Sequence, residues 1–537
     1  MTEQVRQPPE AQRQATETEQ RYQSAREVVA GLQEVLLPMA LPVLPRARIA
    51  ACYLMAGQEQ AAGGDWFDAI PLADGRVALV VGDVVGNGVA ASAAMGRLRS
   101  VLEELLAAEP DLGTVLARAD AFATRTPALR AATLALAVLD TGDGTLRYAT
   151  CGHPPPLIIG TSASTRFLPC SGTGPLGTGS SPVLATGMLQ PGELVLLYSD
   201  GLINRPNRTV AEGMAELEMV AAAAAAGATL PSGAALTLAD RVCQLTVELL
   251  TRTGYADDVT TLAAQWLADP VPALHLELPS ERASVTRVRR AFGEWLDRVD
   301  PVVEDGNDLR LATVEIVTNA VEHAYPPDRP GPVEFRAALC HDGNLECQIT
   351  DHGSWHVPDP AATDRGHGLM VARQVVDQMR VSHRPQAAGA PRGAKGTVVT
   401  LRHRLRRPAI LGSDTSTRAA AYRSGPPFTV DIGTDGAMRL ARVAGPVDIT
   451  TADQLARQLL TASRGGTLPL TVDLTSVTHL ASAGTRALYE VREQLAAHRQ
   501  HLTLLAAPGS SAHSVLKLVH LPHTTGIISD PQHPSEQ

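Results

Sequence analysis

Runs of apolar and polar positions divide the chain into blocks of alternating strands and helices. Residues 77–81 form an apolar run of strand length that is followed by Gly82 and Asp83. Apolar positions recur at helical spacing over 88–106 and 112–125, and 132–140 reads as another strand. The first half of the chain is therefore predicted to be a layered α/β domain with antiparallel hairpins.

Two further blocks follow. A helix is predicted over 308–325, where Glu315, Asn319, Glu322 and His323 lie on one side beside an apolar stripe. From residue 428 onward, strands and helices alternate again. The predicted elements there are strands 428–432, 437–443, 468–474 and 502–506, a helix from Ala452, a turn over 477–484 and a helix over 485–498.

Composition narrows the class of protein. At 537 residues the chain is too long for one core, and its 44% hydrophobic content with a net charge of −10 describes an acidic globular protein. That charge argues against nucleic acid as the main partner. The six cysteines have no zinc or disulfide spacing, and no stretch is long and apolar enough for a signal or a membrane span. A cytoplasmic location away from membranes is predicted.

Acidic residues follow or precede apolar runs in four places. They are Asp83 in Gly-Asp-Val-Val-Gly-Asn-Gly, Asp65 and Asp68 in Gly-Gly-Asp-Trp-Phe-Asp, Asp200 in Tyr-Ser-Asp-Gly-Leu, and Asp257 and Asp258 in Asp-Asp-Val-Thr. A single aspartate of this kind is usually a turn or cap residue. Gathered carboxylates repel one another unless cations intervene, and an all-oxygen set suits Mg²⁺ or Mn²⁺. The set predicts a two-metal hydrolase site.

These four motifs resemble those of PPM-type (protein phosphatase 2C-like) domains of the SpoIIE/RsbU class. The resemblance implies an αββα sandwich with two Mn²⁺ or Mg²⁺ ions and direct attack of a metal-activated water on a phosphoester. It implies that Asp83 touches both ions, with the Val84 carbonyl as a further ligand. Asp200 and Asp257 would complete one ion and Asp65 would support the other, with Asp68 and Asp258 as weaker candidates. The chain departs from the pattern at Asn87, where relatives carry histidine, and at Asn204, where they carry glutamate.

Three glycine-containing boxes follow the polar helix. They read Thr-Asp-His-Gly-Ser-Trp around Asp351, Arg-Gly-His-Gly-Leu at 365–369, and Lys-Gly-Thr-Val-Val at 395–399. Together they resemble a GHKL-type (Bergerat) ATPase, an α/β sandwich, and specifically the RsbW-like anti-sigma serine kinases. The resemblance implies that the site binds ATP with Mg²⁺. The implied roles are Asn319 as Mg²⁺ ligand, Glu315 as general base, Asp351 as the adenine contact, Gly366 and Gly368 in the lid, and Gly353 and Thr397 as further nucleotide contacts.

The last block resembles a STAS domain, the βα fold of anti-anti-sigma factors. Phosphorylatable relatives carry Asp-Ser-Ser-Gly at the strand-to-helix turn, whereas this chain has Ala481-Ser482-Ala483-Gly484. Ala483 has no hydroxyl group at the usual position, and a shift of one residue turns a helical side chain by about 100°. We therefore expect a docking domain that is no longer switched by phosphorylation, with Ser482 as the alternative acceptor.

The whole predicts a multidomain α/β protein. Its segments are a disordered 1–21, a linker helix 22–37, the phosphatase 38–268, the ATPase 271–406, a linker 407–427, the STAS domain 428–529 and a tail 530–537. The predicted activity is dephosphorylation of a STAS-type anti-anti-sigma protein in a bacterial partner-switching pathway that controls a sigma factor.

Two alternatives stay open. One is a binding protein, an ATP-binding anti-sigma or scaffold element acting through the second and third domains, which Asn87 and the altered turn favour. The other is a serine kinase whose ATPase domain dominates. A sigma factor or an anti-sigma kinase as partner, and a homodimer, also remain open.

Overall fold

The computed structural model describes residues 40–525, except 56–62, 87, 206–207, 228–235, 253, 256, 327, 354–366, 384–395, 412–427, 436–437, 449, 509 and 520. The predicted N-terminal segment, the helix 22–37 and the tail 530–537 lie outside these residues. The chain forms two compact units. The first extends to Val271 and also contains 341–343 and 406–419, and the second contains the other residues.

The first unit contains two antiparallel sheets and a two-stranded ribbon. The ribbon pairs β1 (Ala40–Pro42) with β17 (Arg406–Pro408). One sheet has the order β3-β4-β5-β6-β9, with β3 Asp65–Pro71, β4 Arg76–Asp83, β5 Thr133–Asp140, β6 Thr145–Cys151 and β9 Ala185–Met188. The other has the order β18-β2-β11-β10-β7-β8, with β2 Ala47–Leu54, β7 Leu157–Ile159, β8 Thr165–Phe167, β10 Leu194–Tyr198, β11 Val259–Trp266 and β18 Ile410–Leu411. Within that sheet, only β18 pairs in parallel, with β2.

Four helices cover the outer faces of these sheets. They are α1 Val89–Ala108, α2 Leu112–Arg125, α3 Val210–Ala225 and α4 Leu238–Leu250. Alternate residues of β2 show the layering: Ala51 and Tyr53 belong to the core between the sheets, whereas Cys52 and Leu54 pack with α3 and α4. Central strands are buried on both faces, which explains the uninterrupted apolar run of β4. The predicted αββα sandwich is confirmed.

Local sequence explains where these helices begin. The Asp111 side chain accepts a hydrogen bond from the Thr114 amide, and Thr237 and Asp240 form a capping box at the start of α4. Before α1, Gly88 has a φ of 80°, which disfavours residues with a side chain. The predicted helices 88–106 and 112–125 are confirmed to within two residues at either end.

The second unit begins with a five-stranded antiparallel sheet of order β12-β13-β14-β16-β15. Its strands are β12 Leu274–Pro279, β13 Pro332–Leu339, β14 Asn344–Asp351, β15 Gln378–His383 and β16 Thr397–Arg404, and its helices are α5 Arg282–Val299, α6 Val303–His323 and α7 His367–Val375. Buried and exposed positions alternate along β13 and β16. The sheet therefore has one covered face, as an α/β sandwich requires. Helix α6 begins at Val303, five residues before the predicted start.

The second unit ends with a four-stranded sheet of order β19-β20-β21-β22, in which only β19 pairs antiparallel. Its elements are β19 Thr429–Asp435, β20 Met438–Val447, α8 Ala452–Ala462, β21 Leu470–Leu480, α9 Ser482–Ala497, β22 Leu502–Leu505 and α10 Ser511–Leu518. The predicted turn over 477–484 was wrong in its first half. Strand β21 continues to Leu480 beside β20, and the register shifts between Arg442 and Ala444 and again between Gly445 and Pro446. Helix α9 begins three residues early.

The two parts of the second unit share a hydrophobic core. Leu311 of α6 and Val371 of α7 belong to the buried cluster that fills the four-stranded part. Arg289 of α5 forms an ion pair with Asp448, whose side chain is completely buried. The four-stranded part is therefore packed on the helices of the five-stranded part.

The predicted linker 407–427 was wrong at its start, because 406–411 contains strands β17 and β18 of the first unit. These strands are not apparent in the sequence, because the segment begins with two adjacent arginines and a proline. Arg407 is nevertheless buried, because it is paired with Asp240. Residues 412–427 lie outside the described residues. No helix in the described part of the chain is long and apolar enough to cross a membrane.

Candidate functional sites

The predicted metal-binding aspartates come together at the ends of strands in the first unit. Asp65 opens β3 and Asp83 closes β4, and the two are paired directly across the sheet. Asp200 begins the short 3₁₀ turn after β10, and Asp257 and Asp258 immediately precede β11. Because β10 and β11 are neighbours in the facing sheet, both pairs of strand ends meet at one edge of the sandwich.

Electrostatics shows that these carboxylates share one environment. Burial, together with repulsion from Asp200, Asp257 and Asp258, raises the pKa of Asp83 to about 7. Burial also raises the pKa of Asp65, with Asp83 and Asp258 adding to the effect. The pKa of Asp200 is raised by burial and then by Asp257. A cation at this edge would relieve the repulsion.

The carboxylates are not a closed ligand cage. Within the described ranges, no group of three or more His, Cys, Asp or Glu side chains lies close enough to hold an ion by itself. Magnesium usually keeps several water ligands and takes only one or two carboxylates from a protein. An open, all-oxygen donor set of high negative charge fits such hydrated divalent ions.

The backbone packs closely around Val84, whose carbonyl is a predicted metal ligand. The Val84 amide donates a hydrogen bond to the Gly64 carbonyl over 3.1 Å. A Cβ atom at Gly64 would lie 2.1 Å from the Val84 carbonyl oxygen and 3.1 Å from Asp83 Oδ1. Glycine is required at residue 64 because the backbone around the Val84 carbonyl and the Asp83 carboxylate leaves no space for a side chain.

Asp258 is more deeply buried than Asp257, although the sequence indicated Asp257 as the stronger candidate. Its carboxylate is buried and accepts a 3.0 Å hydrogen bond from the Tyr53 hydroxyl, whereas the Asp257 residue is exposed. The neighbouring Thr260 hydroxyl donates to Asp65 Oδ2 over 2.9 Å. Tyr53 was missed, since nothing near residue 53 in the sequence indicates a site, and Thr260 was given no role although it ends the Asp-Asp-Val-Thr motif.

Two other polar residues have structural partners. Asp68 forms a 2.9 Å ion pair with Arg99 and also accepts a hydrogen bond from the Ala69 amide. His153 is buried with Nδ1 2.8 Å from the Thr133 hydroxyl, and burial lowers its pKa to about 4. Asn87 lies outside the described residues. The backbone amide of Asn204 donates a hydrogen bond to the Asp200 carbonyl.

A second candidate site lies between α6 and the five-stranded sheet of the second unit. A cleft of about 310 Å³, part of it open to solvent, is lined by Asn319, Asp351 and Thr397 together with apolar side chains. Burial raises the pKa of Asp351, whose Oδ1 accepts hydrogen bonds from the Gly353 and Thr397 amides. The cleft therefore combines apolar walls with a buried carboxyl group.

Most of the other predicted nucleotide-binding residues lie on helices α6 and α7. Asn319 Nδ2 is buried and has no hydrogen-bond partner among the described residues, which fits a ligand contact. Glu315 is buried one helical turn before it on α6. Gly368 lies in α7, whereas Gly366 lies outside the described residues.

Comparisons with known proteins agree with this architecture. Family models match in the order SpoIIE (Stage II sporulation protein E) at residues 73–267, histidine kinase-like ATPase domain at 278–403, and Mlab, STAS domain at 431–524. The crystal structure of the RsbU and RsbW domains of Rv1364c from Mycobacterium tuberculosis is 39% identical, with a TM-score of 0.62. That match covers 71% of this chain and 99% of the solved one. The chain belongs to the RsbU–RsbW family of fused phosphatase and ATPase proteins.

Curated relatives match this RsbU–RsbW family chain over smaller parts. Protein IcfG of Synechocystis is 28% identical over 33% of the chain, and the match spans only 32% of that protein's own length. An anti-sigma F factor of Clostridium botulinum is 27% identical over 20% of the chain and 82% of the relative. The first domain is thus a SpoIIE-type phosphatase domain, followed by an RsbW-like ATPase domain and a STAS domain.

The STAS domain of this RsbU–RsbW family chain carries its altered turn at the start of α9. Ala481 is the N-cap residue, and its amide donates to the Val447 carbonyl. Ala483 stands in the first turn of the helix and has no hydroxyl group at the position that carries serine in phosphorylatable relatives. A Cβ atom at Gly484 would lie 2.5 Å from the Val447 side chain, so β20 packs tightly on this turn.

Proposed function

We propose that the chain is a metal-dependent protein serine/threonine phosphatase whose substrate is a phosphorylated STAS-type protein of a partner-switching pathway. The convergence of Asp65, Asp83, Asp200, Asp257 and Asp258 at one edge of the sandwich carries this proposal. An isolated turn aspartate would not share repulsion with four others.

The metal ligands in this proposal are the carboxylates of Asp65, Asp83, Asp200 and Asp257 with the Val84 carbonyl. Bound Mn²⁺ or Mg²⁺ would supply charge for phosphate oxygens and lower the pKa of a coordinated water. Asp83 stays ionised beside such charge despite its burial. Tyr53 and Thr260 hold Asp258 and Asp65 in place by donating hydrogen bonds.

The ATPase domain is proposed to bind ATP with Mg²⁺ in the cleft beside α6. Asp351 would accept a hydrogen bond from the adenine amino group, since one of its oxygens is already held by two backbone amides. Asn319 would contact Mg²⁺, Glu315 would act as the base, and Gly353, Gly366, Gly368 and Thr397 would complete the nucleotide contacts.

A second candidate function is a switch in which the chain binds a sigma factor or a separate STAS protein through its ATPase domain. The packing of the chain's own STAS domain on α6 and α7 favours this candidate, because it places a STAS fold on that surface. Ala483 would make this STAS domain a docking module.

The deciding experiment is hydrolysis of a phosphorylated STAS protein by wild type and Asp83→Ala, with Mn²⁺ or with chelator. Metal-dependent activity that is lost in Asp83→Ala supports the phosphatase. An inactive wild type that still binds a STAS protein would favour the switch.

A further inference from the structure

The segment that follows the ATPase domain is a built-in part of the phosphatase unit. Residues 406–408 pair antiparallel with 40–42, and Ile410 and Leu411 pair in parallel with Cys52 and Tyr53 of β2. We refer to residues 406–411 as the strap. Its second strand, β18, lies along the edge of β2 at Cys52 and Tyr53, and its first strand, β17, pairs with β1.

Buried side chains anchor the strap. Arg407 Nη2 donates to Asp240 Oδ2 over 2.6 Å and Nη1 to the Ile49 carbonyl over 3.3 Å, and only 4% of Arg407 is exposed. Ala409 packs on the core between the sheets, and Ile410 packs on the core under α3 and α4. A buried charge is tolerated only when it is paired, so this segment occupies a specific place.

The strand beside the strap, β2, contacts the predicted metal site through Tyr53. Tyr53, which pairs with Leu411, donates its hydroxyl hydrogen to Asp258 Oδ2. On its other side Tyr53 pairs with Thr260, whose hydroxyl donates to Asp65. Two neighbouring residues thus fix one carboxylate from each sheet.

We propose that Tyr53 is a positioning residue for the phosphatase metal site, and that the strap sets the position of Tyr53. The segment leaving the ATPase domain would then determine how well the phosphatase binds metal. This inference rests on the metal site proposed above.

The physical reason is the repulsion among the carboxylates. Without a hydrogen-bond donor on a fixed strand, Asp258 would turn away from its like-charged neighbours. An edge strand without its neighbour loses part of its hydrogen-bonded support, so β2 would hold Tyr53 less firmly without the strap.

The test is Mn²⁺ binding to the full chain, measured by calorimetry and by electron paramagnetic resonance with Mn²⁺ alone. We expect Tyr53→Phe and Arg407→Leu each to weaken binding about tenfold. Arg406→Leu, an exposed neighbour in the same strand, is the matched control and should change it less than twofold. Arg407→Lys keeps the charge beside Asp240 and should restore most of the affinity.

A double variant tests whether the strap acts through Tyr53. If it does, the Mn²⁺ affinity of Tyr53→Phe/Arg407→Leu should be at most about threefold below that of either single variant. If the two effects were independent, the affinity of the double variant would be about a hundredfold below that of wild type. Should Arg407→Leu not fold, Arg407→Leu/Asp240→Asn removes both buried charges and keeps an oxygen for the Thr237 cap.

The outcomes separate this inference from the function on which it rests. A wild type that binds no Mn²⁺ overturns the metal site itself. A wild type that binds Mn²⁺, with unchanged affinity in Tyr53→Phe or in folded Arg407→Leu, overturns only the role of Tyr53 or of the strap.

Discussion

The Arg289 guanidinium of α5 contacts the fully buried carboxylate of Asp448 at the end of β20. Asp448 Oδ1 also accepts hydrogen bonds from the amide and hydroxyl groups of Thr450. This ion pair joins the ATPase domain to the STAS domain within the second unit.

Removing Arg289 should loosen this packing. Breaking a buried ion pair from one side costs about 3–5 kcal/mol, and the partial exposure of Arg289 places the expected cost for Arg289→Ala near the lower end. Hydrogen exchange in β20 and in α5 should increase. Arg290→Ala, at an exposed position on the same helix, is the control, and equal protection in both variants would show that the pair contributes nothing.

His479 should make the second unit sensitive to acid. Its pKa is lowered to about 4, mainly by burial; Asp448 opposes this shift, and Arg289 and Arg310 contribute to it. The unfolded chain binds the proton near pH 6.5, so the stabilising effect is complete above that pH and is lost as the pH falls toward 4. The loss is at most about 1.4 kcal/mol per pH unit. Hydrogen exchange in β21 at pH 7.5 and 5 should show this difference, and His479→Gln should reduce it.

Asp83→Asn should abolish phosphatase activity and at the same time stabilise the metal-free protein. The carboxylate is repelled by Asp200, Asp257 and Asp258, and an amide removes that repulsion. We expect activity to fall at least about 100-fold, equivalent to about 2.7 kcal/mol of transition-state stabilisation. The melting temperature in chelator should rise by a few degrees. A lower melting temperature would contradict the electrostatic explanation.

Asp68→Asn should behave differently from Asp83→Asn. Asp68 is held by Arg99 and the Ala69 amide, so it has a structural partner. Metal-dependent hydrolysis should stay within about threefold of wild type, while stability decreases by about 1 kcal/mol or more because Arg99 loses its charged partner. Loss of activity comparable to that of Asp83→Asn would make Asp68 part of the site.

Asp351→Asn should weaken ATP binding at least tenfold, about 1.4 kcal/mol. The substitution replaces a carboxylate that lines the cleft and accepts hydrogen bonds from two backbone amides. Glu346→Gln, exposed on the same strand, is the control. Calorimetric titration with ATP and Mg²⁺ measures both, and equal affinities would exclude Asp351 from the nucleotide site.

Residues whose role depends on local pattern were predictable, and residues joined over long distances were not. Asp83 and Asp200 follow apolar runs and precede glycines, so strand ends could be located from neighbouring residues alone. The hydrogen bond between Tyr53 and Asp258 joins positions 205 residues apart, and that between Arg407 and Asp240 joins positions 167 apart. Neither has a local signature. The burial of Asp258 relative to Asp257 depends on the same tertiary packing.

The late position of β17 and β18 in the chain imposes an order on biosynthesis. Because about 140 residues separate β11 from β17 and ribosomes add about 5–20 residues per second, the first unit waits roughly ten seconds for its last strands. During that interval the edge of β2 is uncovered in the nascent chain and can pair with strands of other chains. The phosphatase unit can be completed only after the ATPase domain has been synthesised.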